Sequence, residues 1–154
     1  MTQEETKSQI LLAALSERYE SLRVIRERVQ TVGLTVIGLL LGAGGWLIQS
    51  EQRYECAEKL VLTIGVLAAV AVLRWMYLSD LQKGFKSQQR VAALIEKELG
   101  LYTPGALSAS SDAIYPEAWA KAGQENGPGR FFSATYWMIF VGTVFLIITI
   151  WIAT

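Results

Sequence analysis

Polar and apolar positions divide the chain into three long apolar runs separated by charge-rich stretches. The runs cover 31–49, 60–78 and 133–153. Each is about 20 residues long, enough at about 1.5 Å per helical residue to cross a hydrocarbon core of about 30 Å. The first and third carry no charge, and the second carries only Arg74. A helix of this length on a water-soluble domain would show a polar stripe. The pattern predicts an all-α chain with three transmembrane helices, organised as one membrane domain. A helical pattern precedes the first run, so an anchor is expected there and not a cleaved signal peptide.

The charged stretches carry a second pattern. Within 6–30, Leu12, Leu15, Tyr19, Leu22 and Val29 follow an alternating spacing of three and four, interrupted at Arg26 with Ile25 beside it. That is a coiled-coil-like seam. Only Gly33 lies between this seam and the first run, and membrane helices tolerate glycine, so one unbroken helix is expected. After the second run the apolar spacing continues over 79–99 through Leu81, Phe85, Ala92, Ile95 and Leu99. Gly100 and then Pro104 supply a stop. The two extensions are expected to form an antiparallel cytoplasmic stalk. Val29 would face Leu81, Ile25 would face Phe85, Tyr19 would lie near Ala92, and Leu12 or Leu15 near Ile95 and Leu99. Its cations, such as Arg23, Arg26, Lys86 and Arg90, fall near the membrane, and the acids Glu4, Glu5, Glu96 and Glu98 far from it.

The segment 100–132 reads as a cytoplasmic loop. Small polar residues fill 103–112, a short helix over 116–122 starts at Pro116 and closes at Gly123, and 126–129 forms a turn. Trp119, Phe131 and Phe132 are expected at the inner membrane interface or against the base of the stalk.

Charge orients the spans. Lys7, Arg18, Arg23, Arg26 and Arg28 precede the first, and Lys83, Lys86, Arg90, Lys97, Lys121 and Arg130 lie between the second and third. The loop between the first two holds only Arg53 and Lys59. Eleven against two places the N-terminus in the cytoplasm and the C-terminus outside, in a bacterial inner membrane. Over the whole chain of 154 residues the formal net charge is zero, so no global field recruits nucleic acid.

Composition removes most chemistry. There is no histidine, and Cys56 is alone. This excludes His-based acid–base and nucleophile systems and the common zinc sites. Glu96, Glu98, Asp112 and Glu117 have no spacing that makes a metal site or an acid–base pair. No catalytic residue, cofactor or metal is expected.

What remains are helix faces. Gly38 and Gly42 form a GxxxG pair that Gly45 continues, and Gly65 and Ala69 repeat the spacing in the second run. Small residues let helix backbones approach closely where lipid supplies no hydrophobic drive. These faces either pack against each other within one chain or meet another subunit. Arg74 either snorkels to headgroups, one turn from the inner boundary, or acts inside the membrane. No acid lies in any run to pair with it, which argues against a proton-coupled carrier.

The stretches "LSERYESLRVIRERVQTVG" and "YLSDLQKGFKSQQRVAALIEKELGLY" flank the first hairpin. In this arrangement the chain resembles small bacterial membrane proteins of the SLATT type, in which a cytoplasmic helix runs into a transmembrane hairpin whose second helix returns to the cytosol. The third span is an addition to that two-span core. The resemblance implies a membrane effector of a conflict system that oligomerises and perforates the bilayer when a partner senses a nucleotide signal. The stalk and 116–123 would then receive the signal, and Gly38, Gly42 and Gly45 would line subunit contacts. The other reading of the same residues is an accessory subunit docked on a larger respiratory or photosynthetic membrane complex. A third is a sensor whose cytoplasmic loop takes a lipid or small ligand.

Overall fold

The computed structural model describes residues 3–50, 54–105, 113–124 and 129–152. Most of the expected loop 103–112 and turn 126–129, and the end of the third run at Ala153, lie outside the described residues, as does Asp112. Among the described residues the regular structure is entirely helical: α1 (Gln3–Gln49), α2 (Cys56–Val72), a π-helical turn (Leu73–Leu78), α3 (Ser79–Glu98), a 3-10 turn (Glu117–Lys121) and α4 (Arg130–Ile152). Three stretches are long and apolar enough to cross a membrane: Gln3–Gln49, Cys56–Glu98 and Arg130–Ile152.

α1 runs without interruption through the change from charged to apolar sequence. Good helix formers fill its first half, and no proline interrupts either part. α2 starts at a reciprocal cap, in which the Glu55 side chain receives a backbone N–H of the first turn while the Glu55 N–H donates to Glu58 Oε2 at 3.0 Å. α3 ends as its glycine predicts. Gly100 takes φ 77°, Leu101 N–H donates to Glu96 O at 3.1 Å and Gly100 N–H to Lys97 O at 3.0 Å. This is a Schellman closure.

The π-turn departs from the continuous α-helix expected from 60 to 99. The inward positions of this segment step from Val66 to Val70 to Leu73, and then by five residues to Leu78, which is 1% exposed. Between them Arg74, Trp75, Met76 and Tyr77 are all exposed. A regular helix would carry Leu78 away from the interior. The wider turn, with Ser79 N–H bonded to Arg74 O, absorbs the extra residue and returns Leu78 inward.

The chain divides into two compact units, Met1–Arg26 with Gln82–Gly127, and Glu27–Leu81 with Pro128–Thr154. In the second unit α4 supplies most of the buried positions. Phe132, Thr135, Ile139, Gly142, Thr143, Leu146, Thr149 and Ile150 recur at helical spacing along its inward face. Leu146 and Ile150 join Leu40 and Leu47 of α1 in one cluster, with Val36, Tyr54 and Val66 against it. The third run, expected as an appendage to a two-helix core, is thus where that core is built. Its three buried threonines would be costly in an apolar setting if left unpaired. Each donates instead to the carbonyl four residues back: Thr135 to Phe131, Thr143 to Ile139 and Thr149 to Phe145, at 3.2, 2.7 and 2.9 Å.

In the first unit the start of α1 meets α3. Ile25 lies by Gly84, and Arg18 donates to Gln88 Oε1 at 2.9 Å. The short helix expected at 116–122 is a 3-10 turn, with Pro116 as its cap in an extended conformation. Gly123 has φ 75°, and a Cβ there would lie 2.5 Å from Lys86 O. Only glycine fits that approach. Arg90 Nε seals it by donating to Gly123 O at 2.7 Å.

Candidate functional site

Three features of these helices carry polar or steric information. The first is the glycine spacing of α1. Successive helical residues turn by about 100°, so Gly42 points roughly opposite to Leu40 and to Gly44. The structure uses one side. Gly44 leaves room for Phe145, whose Cε1 would be 2.5 Å from an added Cβ, and Gly33 likewise admits Thr135 at 2.9 Å. From α4, Gly142 admits Leu40 and Ile37 at 3.2 and 3.4 Å. On the other side, an added Cβ at Gly38, Gly42 or Gly45 meets no described atom within 4 Å, and the same holds for Gly65. Ala69 is exposed. The two GxxxG-like faces therefore do not pack on each other within the chain. The glycines that admit a neighbour, Gly33, Gly44 and Gly142, were not singled out by spacing because their partner helix is remote in sequence.

The second feature is a polar knot in the first unit. Glu96, one of the acids expected far from the membrane, is buried at 7% exposure. Its carboxylate accepts from the Tyr19 hydroxyl at 2.5 Å and from the Tyr102 hydroxyl. Tyr102 packs at a tilt against Tyr115, and Tyr115 against Trp119, with ring centroids 6.0 and 5.5 Å apart. Burial, then the bond to Glu96, pushes both the Tyr19 and Tyr102 phenols above their ordinary value of 10.0. The Tyr19 ring is 43% exposed, so the effective burial is at its bonded hydroxyl. Of the predicted seam, Leu15 is buried at 7%, Leu22, Phe85 and Ile95 are partly buried, and Leu12 is exposed at 54%. Tyr19 lines one cleft with Ala92, as expected, and its hydroxyl reaches Glu96, one helical turn further along α3. Beside the knot is a cleft of about 560 Å³ lined by Tyr19, Arg23, Arg26, Phe85, Glu96 and Trp119. Trp119 remains 57% exposed at its mouth.

The third feature is Arg74. It is held by neither a carboxylate nor a backbone carbonyl among the described residues; its guanidinium carbon sits 4.5 Å from the centre of the Tyr136 ring on α4. This is a cation–π geometry. Phe131 is partly buried and forms an edge contact of 5.6 Å with Phe132, which is buried at 2% exposure. Among the described residues no cluster of three or more Cys, Asp or Glu stands in a metal-holding arrangement.

The chain matches no family model, no curated protein and no solved structure.

Proposed function

We propose that this chain is a multi-pass protein of a bacterial inner membrane that acts by helix–helix assembly, without bond-making of its own, and that copies associate through the Gly38, Gly42 and Gly45 face of α1. The observation that carries this reading is the open space over those glycines, beside a second glycine face already filled by α4. In lipid an empty groove of this kind has no hydrophobic reason to close, but two such backbones gain dispersion contacts when they meet. The N-terminus is cytoplasmic by the excess of Lys and Arg on that side. The extensions of α1 and α3 form an antiparallel stalk, supported by the pairs Tyr19 with Glu96 and Ile25 with Gly84, whose numbers run in opposite senses. A signal taken up by this stalk, and by the turn at Glu117–Lys121, would reach the membrane helices through the unbroken α1. This is the behaviour of a self-associating effector or channel-like protein, in line with the SLATT-like layout.

Gly42→Cys in a Cys56→Ser background, oxidised in native membranes, tests it. A disulfide-linked dimer is expected, with Ile64→Cys on α2 as a control that stays monomeric. A monomer at Gly42→Cys in protein that resists alkaline carbonate extraction ends the self-association reading. The accessory-subunit reading draws on the wide apolar surface of α2, where Val61 and Ile64 are 69% and 62% exposed. A larger complex retained on native purification of that monomer would establish it.

A further inference from the structure

We infer that the cleft between the π-turn and α4 is a binding site for one anionic phospholipid, with its phosphate at Arg74 and an acyl chain along the helices. The inference rests on the membrane insertion proposed above and is independent of self-association.

The head of the site is a pocket of about 290 Å³ lined by Arg74, Ser133, Tyr136, Trp137 and Phe140. Arg74 brings a permanent positive charge, and neither 59–79 nor 126–154 contains an Asp or Glu to neutralise it. The Tyr136 ring holds the guanidinium by its face. A cation–π contact uses none of the guanidinium's acceptor-seeking capacity, so N–H donors remain for an anion. Ser133 and Trp137 line the same pocket, and Trp137 is 64% exposed, as an interfacial ring would be.

A second cavity of about 330 Å³ shares Arg74, Tyr136 and Phe140 with the first and continues past Val70 and Leu67 to Val144 and Ile147. Its walls make almost no polar demand. The Thr143 hydroxyl is already bonded to Ile139 O at 2.7 Å. One basic end joined to an apolar groove has the polarity of a phospholipid, head to tail.

The π-turn links the two. Leu67, Val70 and Arg74 line the groove from one face of the helix, and the wide turn brings Leu78 to the same groove five residues after Leu73. Wide turns of this kind inside α-helices recur at functional positions.

The test is native mass spectrometry of the full-length protein in detergent with phosphatidylglycerol or phosphatidylcholine added in equal amounts. Wild type is expected to retain one phosphatidylglycerol with roughly fivefold preference, the effect of one well-placed cation. Arg74→Gln should bring that preference close to one. Val144→Trp, which fills the groove and leaves the charge, should reduce the retained phosphatidylglycerol severalfold. Equal retention of the two lipids by wild type, or an unchanged preference in Arg74→Gln, overturns the site. So does a Val144→Cys disulfide between two copies, which would put a second chain in the groove. Extraction of wild type from membranes by alkaline carbonate overturns the insertion reading itself; resistance to extraction with equal lipid retention overturns the lipid site alone.

Discussion

The two units are held together by opposite means. In the first, polar groups do the joining: two tyrosine hydroxyls on Glu96, Arg18 on Gln88, and Arg90 on the carbonyl of Gly123. In the second, the joining is mainly steric, with Gly33, Gly44 and Gly142 each admitting a side chain from a neighbouring helix and the α4 threonines bonding within α4; its helices also make polar contacts, Trp151 Nε1 donating to Thr63 Oγ1 at 3.3 Å and Arg74 over the Tyr136 ring. The difference follows from the solvent each composition suits. Where water competes for every hydrogen bond, a partly buried polar knot adds specificity to a short amphipathic contact. Where the surroundings are as apolar as leucine, burying more leucine contributes little, and close approach of backbones decides which helices meet. The same helix, α1, obeys the first rule over its charged part and the second over its apolar part.

The sharpest break of this comparison is Gly123→Ala. A left-handed φ and a Cβ directed at the Lys86 carbonyl combine strain of about 1–2 kcal/mol with a backbone clash that no rotamer relieves. A loss of about 3 kcal/mol is expected, read as faster amide exchange over Lys86–Arg90 with the apolar helices unaffected. Uniform exchange across both units would show that polar stitching does not govern the first one alone.

A smaller effect separates the two glycine faces of α1. Alanine favours a helix over glycine by about 1 kcal/mol, so Gly42→Ala should raise the thermal midpoint of the monomer in dilute detergent. Gly44→Ala should lower it, with a net loss of about 1 kcal/mol of stability, because the Phe145 ring must move off its contact. Equal midpoints for the two variants would mean that α4 does not rely on the Gly44 notch.

The mildest test is alkaline titration. Tyr19 and Tyr102 resist ionisation in the folded chain more than in the unfolded one. Their contribution is complete below pH 10 and is lost progressively as pH rises above it. Stability measured by denaturant should therefore fall above pH 10, and Tyr19→Phe with Tyr102→Phe should flatten that fall. An identical alkaline slope in the double variant would remove the knot as its cause.

Much of this architecture is a one-dimensional property. Run length and absence of charge determine that three helices can span a bilayer, because the cost of an unpaired backbone or a charge in hydrocarbon depends on composition alone. The continuity of α1 and the stop at Gly100 are local for the same reason: propensity and a single φ angle decide them. What required the tertiary structure is everything set by a partner distant in sequence. Spacing marked Gly38, Gly42 and Gly45, but which side of α1 is filled depends on where Phe145 and Thr135 arrive from α4. Glu96 looked like one acid among several until Tyr19 and Tyr102 converged on it. Arg74 was legible as the one charge in the apolar runs, but its neighbour, the Tyr136 ring on α4, was not. Composition settles which solvent each segment tolerates; only the meeting of helices settles which of its faces remains open.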